Sequence, residues 1–147
     1  MSRTSKDEVM EYLKGNQYAN LATLNADDPA QPHVSTVAYV NDGLDLYFVT
    51  NHKSQKFVNV SRNRKVAVSI DRDESDWMKI TGIQIEGVAE PVSEAEAAKV
   101  FGLYAEKFPV IKNFPPNPDY RFSRIRPKKI WLLDYKKGFG HRDSIEV

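Results

Sequence analysis

The chain of 147 residues contains no cysteine, which removes the disulfide framework, the thiolate metal site and the cysteine nucleophile together. Its three histidines, His33, His52 and His141, are too scattered to suggest a metal cluster, and no metal is expected. An excess of charge of one sign is also lacking. The 21 basic and 20 acidic side chains leave a net +1 with no polybasic run, so neither nucleic acid nor an anionic membrane is an expected partner. A barrel that binds single-stranded nucleic acid through aromatics and lysines is set aside on the same ground. No apolar run is long enough to cross a bilayer as a helix. Residues 1–14 are charged and carry no apolar leader segment, so the expected location is cytoplasmic.

What is present suits one ordinary domain. With 41% hydrophobic residues, a chain of this length buries roughly two thirds of its unfolded surface around one core, and residues 1–147 are read as a single domain. Ser5-Lys6-Asp7-Glu8 fits a capping box, and Val9, Met10 and Leu13 form one apolar stripe, a short helix ending before Gly15. Residues 18–25 and 33–40, separated by Asp27-Asp28-Pro29, predict a β-hairpin. Asn41-Asp42-Gly43 then turns the chain into a third antiparallel strand over residues 44–49. Residues 65–70 and 80–90 alternate as half-buried strands, and Gly82 and Gly87 mark bulges or a close backbone approach. Ser93-Glu94-Ala95-Glu96 is a second capping box, opening a helix to about Phe108. Pro109, Pro115, Pro116 and Pro118 end it, and the long segment they occupy, carrying Val110, Ile111 and Phe114, should pack over the domain as a candidate lid. Residues 122–126 and 129–135 predict two strands joined near Pro127, followed by a tail through His141-Arg142-Asp143. About six to seven short strands without regular strand–helix alternation predict a mainly β (α+β) fold, an antiparallel barrel with flanking short helices.

Chemistry concentrates in residues 47–60. An apolar strand runs through Thr50 and Asn51 into His52-Lys53-Ser54-Gln55-Lys56, and then into a short amphipathic helix. The unpaired N–H groups and positive dipole end of a helix start suit a phosphate, with charge from Lys53 and Lys56 and hydroxyls from Thr50 and Ser54. The same residues also fit a plainer role, Ser54 as N-cap beside solvated lysines. From the residues alone both readings stand. No catalytic triad, paired carboxylates or metal motif accompanies the segment, so no catalytic residue is assigned. Trp77, Phe114, Tyr120, Trp131 and Phe139 could wall a substrate pocket, although core or dimer packing is the commoner use of aromatics. His33 and His52 read as strand-end or loop residues.

Four pieces in order, Asn20-Leu21-Ala22-Thr23-Leu24 followed by Pro32-His33-Val34-Ser35-Thr36-Val37, residues 46–56, Asn59-Val60-Ser61-Arg62-Asn63 before a strand, and residues 82–90, resemble the pyridoxamine 5'-phosphate oxidase-like FMN-binding split barrels. The resemblance covers nearly the whole chain and implies an antiparallel split β-barrel acting as a homodimer, with FMN at the interface. By position, Val34, Ser35, Thr36 and Val37 would run along the flavin ring, where their backbone meets its polar edge. Thr50 and Asn51 would lie beside the ring and ribityl chain, and Ser54, Gln55 and Lys56 would approach the phosphate with Lys53 nearby. Gln84 is the candidate contact from the second subunit, and Trp131, His141 and Arg142 are candidates for substrate or second-subunit contact. Gln55 stands where the vitamin-forming oxidase usually has arginine, which loses a bidentate fork, and the tail is shorter than that enzyme's motif. The vitamin-forming reaction itself is therefore not expected. A bound flavin carries the redox step and needs no side-chain nucleophile. The implied function is an FMN-dependent oxidoreductase with a small-molecule substrate, NAD(P)H being one candidate. The alternative is a non-catalytic flavin or haem binder in stress or redox handling.

Overall fold

Alternating side chains set the architecture, because successive residues of a strand face opposite sides of the sheet. Along β1 (Tyr18–Leu24) Ala19, Leu21 and Thr23 turn inward, and along β4 (Lys65–Asp71) Val66, Val68 and Ile70 do the same. In the computed structural model, which describes residues 5–147, these strands join β2 (Pro32–Asp42), β3 (Asp45–Asn51), β5 (Thr81–Pro91) and β6 (Tyr120–Asp134) in the order β3-β2-β1-β4-β5-β6. Pairing of β3 with β6 closes a six-stranded barrel, and β7 (Arg142–Ile145) adds to the free side of β6. Every pairing is antiparallel, as the mainly β, split-barrel reading requires. Residues 1–4 of the charged N-terminal stretch lie outside the described residues.

Among the described residues, three α-helices flank the barrel. α1 (Ser5–Lys14) sends Val9 and Leu13 into the main core, where they meet Leu21, Phe48, Ile70 and Ile83 among others. α2 (Gln55–Arg62) follows β3, with Ser54 as its N-cap. α3 (Glu94–Lys107) packs on the outside through Val100 and Tyr104, which join Val40 and Tyr47 in a second cluster. Ser93 is the N-cap of α3, but its hydroxyl makes no cap bond; the Ser93 carbonyl instead accepts from the Glu96 and Ala97 N–H groups at 3.1 and 3.0 Å. No helix among the described residues is long and apolar enough to cross a membrane.

Several expectations change in detail. Residues 120–134 are one strand, not two, because Pro127 lies opposite Gly87 at a bulge, where no ladder N–H is needed. Gly87 is required there by close approach: a Cβ would sit 2.5 Å from the Arg126 carbonyl oxygen. The tail contains the seventh strand, β7. The proline-rich segment forms a 3₁₀ helix, Pro109–Asn113, and Phe108 and Ile111 pack against the outer cluster, while Val110 and Phe114 remain exposed.

Candidate functional site

The barrel is split between β2 and β3. β2 pairs with β1 from Pro32 to Ala38, yet with β3 only from Tyr39 to Asp42, because β3 leaves after Phe48 and continues beside β6. The Tyr39 N–H points to the Gln17 carbonyl on the β1 side at 3.2 Å. Backbone groups of alternate residues point to opposite edges, so Val34, Thr36 and Ala38 direct theirs into the opening. At its vertex the Tyr104 hydroxyl shares its one proton between the carbonyls of Ala38, at 2.8 Å, and Tyr47, at 3.1 Å. Burial holds the Tyr104 phenol well above its ordinary pKa, so it stays a donor. Ser35 turns to the inner face opposite Leu21, and its Oγ is buried without a hydrogen-bond partner among the described residues. Val37, on that same face, is part of the core.

Across the opening stands the strand-to-helix segment. Asn51 Oδ1 accepts the Lys53 N–H at 2.9 Å and the Asn51 carbonyl accepts the Ser54 N–H at 2.9 Å, which turns the chain into α2. Ser54 Oγ accepts from the Phe57 N–H at 3.4 Å and lies 3.0 Å from Thr50 Oγ1, to which Lys56 Nζ donates at 3.5 Å. Two hydroxyls and an ammonium therefore converge at the start of a helix, beside the Gln55 and Lys56 N–H groups that helix geometry leaves without an acceptor. The Gln55 amide is committed elsewhere: its Nε2 donates to Asn59 Oδ1 at 2.7 Å. Lys53 is exposed. His52 lies 3.5 Å from Asp119 and edge-on to Phe57, a loop position as expected.

Sequence reasoning missed Asn59 and Tyr104. Asn59 is fully buried; it donates to Thr23 Oγ1 at 2.9 Å and accepts the Ala26 N–H at 2.8 Å, tying α2 to the β1–β2 loop. The available signal was an amide between Val58 and Val60 on an amphipathic helix. Nothing local marked Tyr104, because its partners are 57 and 66 residues away.

The other candidates gather on the outer face. Strand register places Thr36, Asn20, Ser69, Gln84, Trp131 and Ser144 in one row across β2, β1, β4, β5, β6 and β7. Asn20, Ser69, Gln84 and Trp131 of this row line an open groove of about 420 Å³, together with Val34 and Arg142 among others. Arg142 donates to Gln84 Oε1 at 3.2 Å and its guanidinium lies 4.8 Å from the Trp131 ring centroid, so three of the sequence candidates form one contact set. His141 stands apart, with Nε2 2.9 Å from Asp143 Oδ1; this bond, with Lys137 nearby, holds the Asp143 carboxyl below its ordinary range. Trp77, Phe114, Tyr120 and Phe139 are 54–68% exposed, so none of the four packs in the core.

The two regions present what FMN asks of a site. The unpaired edge of β2 would offer backbone groups to a polar ring, Ser35 Oγ is buried without a partner among the described residues, and the Thr50–Ser54–Lys56 cluster would offer donors to a phosphate.

A comparison with curated proteins finds no match. Among solved structures, a haem-binding protein from Mycobacterium smegmatis superposes with a TM-score of 0.81 at 20% identity; the match covers 99% of this chain but only 60% of that one. A conserved hypothetical protein from Mycobacterium tuberculosis matches with a TM-score of 0.78 at 26% identity, over 99% of this chain and 92% of the other. General stress protein 26 from Bacillus anthracis gives 0.70 at 20% identity, over 97% and 98%. The family model described as pyridoxamine 5'-phosphate oxidase matches residues 5–134, and with most of its length accounted for, from α1 to the end of β6, the chain belongs to that family.

Proposed function

We propose that the protein is an FMN-binding flavoprotein, an oxidoreductase that moves hydride or electrons to or from a small organic substrate, working as a homodimer with the cofactor between subunits. The observation that carries this reading is the fork between β2 and β3, with an unpaired backbone edge on one side and a hydroxyl-and-lysine cluster at a helix start on the other. Lys56, Thr50, Ser54 and the first N–H groups of α2 hold the phosphate. The Val34 and Thr36 backbone meets the polar ring edge, and Gln84, Trp131 and Arg142 of a second copy cover the other side. Bound FMN supplies hydride and electron transfer at its ring, leaving position and solvent exclusion to the side chains. The vitamin-forming reaction is not part of the proposal, because the Gln55 amide is held by Asn59 and offers no substitute for an arginine fork.

Haem is the competing ligand, favoured by structural likeness to the M. smegmatis haem-binding protein. The visible spectrum of the purified protein separates the two. A flavin spectrum is expected, and a Soret band would replace FMN by haem. A colourless protein that FMN cannot reconstitute would end the flavin reading. Anaerobic mixing with NADH and NADPH then tests turnover; reduction by neither would leave a binding role or a different donor.

A further inference from the structure

We propose that Tyr104 of α3 is the positioning residue of the cofactor cleft: its hydroxyl pins the vertex of the β2–β3 fork, so that the Val34 and Thr36 backbone is presented at a fixed place. The inference rests on reading the fork as the flavin site, and it deepens that reading.

Tyr39 and Phe48 are the last paired residues before the strands separate. The Tyr104 hydroxyl sits at that point, its one proton shared between a carbonyl on each strand, Ala38 on β2 and Tyr47 on β3. A carbonyl has two lone pairs, so the hydroxyl can join the end of the ladder without displacing a rung, clamping both strands where fraying would begin. The ring is fixed as firmly as the hydroxyl. It is 2% exposed and stacks with Phe108, at 6.0 Å, and with Phe122, at 5.7 Å between ring centroids. α3 is itself anchored at its start, where Glu96 pairs with Arg124 of β6, and in its middle, where Lys99 reaches Asp42 at 2.6 Å. An element outside the barrel therefore sets the width of an opening to which it contributes no lining side chain of the proposed cofactor set.

The test compares wild type with Tyr104→Phe, which keeps the ring, and with Val100→Ala, which loosens α3 packing and keeps the hydroxyl. Hydrogen exchange of the ligand-free protein should accelerate roughly tenfold or more in Tyr104→Phe at Val40, Tyr47 and Val49, with Val68 and Ile85 little changed. Affinities for FMN and riboflavin should both fall, by the same factor of roughly ten. Val100→Ala should lower overall stability without singling out the fork. Unchanged exchange at the fork, or uniform acceleration across the barrel, overturns the role of Tyr104. So does a loss of FMN affinity without a matching loss for riboflavin, since that would place the effect at the phosphate. If wild type binds no flavin, the cofactor reading falls, and the exchange measurement still decides whether Tyr104 pins the fork.

Discussion

Lys56 and Gln55 are neighbours in sequence, yet α2 sends them to different tasks, one to Thr50 and the other to Asn59. Lys56→Ala should therefore weaken FMN binding by about 1.5–3 kcal/mol, the worth of a charge-assisted hydrogen bond, and leave riboflavin affinity unchanged. Titration of the folded variant with both ligands checks this; equal losses for the two would remove Lys56 from the phosphate. Lys107 makes a different kind of prediction. Its ammonium donates to the Leu13 carbonyl at 3.3 Å and lies 3.9 Å from the Tyr39 ring centroid, while burial lowers its pKa to about 8. Between that value and an ordinary lysine pKa near 10.4 the unfolded chain binds more protons than the folded one, so stability from this group rises with pH and is lost as pH falls through about 8. Wild type should gain on the order of 1 kcal/mol relative to Lys107→Met from about pH 7 to about pH 9.5, a figure reduced for partial solvent screening. Urea titrations at both pH values measure it, and a constant difference would show that the ammonium titrates as if exposed. The place of Lys56 in the first turn of a helix was legible because the Ser54 cap and the apolar pattern beyond it are local. The setting of Lys107 was not, because it depends on a carbonyl 94 residues away.

The elements were read best where one segment carries its own pattern. The alternation of Val66, Val68 and Ile70 and the cap at Ser54 are local properties, and both elements appear where expected. β6 was read as two strands because a proline ordinarily ends a ladder, and only its pairing with Gly87 reveals the bulge that accommodates Pro127. β7 has four residues, of which only Ile145 is buried, too little for a periodic signal. Two glycines test the distinction between local and tertiary demand. Gly87→Ala drives a methyl into the Arg126 carbonyl across the β5–β6 pair and should cost about 1–3 kcal/mol of stability. Gly102 lies exposed within α3 with nothing near its missing Cβ, so Gly102→Ala should stabilise by about 0.5–1 kcal/mol. Thermal melts of the two variants should move in opposite directions; a neutral Gly87→Ala would mean that the bulge can relax.

At the scale of the molecule, antiparallel closure followed from about six to seven strand-like segments without regular strand–helix alternation, whereas the fork did not, because register is a property of strand pairs. The fork and the groove also divide the proposed site. The Thr50–Ser54–Lys56 cluster is at the end of β3, and the Gln84–Trp131–Arg142 set is on the outer face of β5, β6 and β7. If the groove of one copy completes the fork of another, each cofactor draws on Lys56 from one chain and Arg142 from its partner. Lys56→Ala and Arg142→Ala homodimers then have two damaged sites each. A mixed dimer has one site with both defects and one with neither, so after unfolding and co-refolding of equal amounts about one quarter of all sites should regain wild-type affinity, half of the sites in the half of dimers that are mixed. Were Arg142 to serve the fork of its own chain, every site in the mixed dimer would keep one defect and no tight sites would return. A titration of the mixture with FMN, beside one of the two variants combined without refolding, distinguishes a shared site from two independent ones.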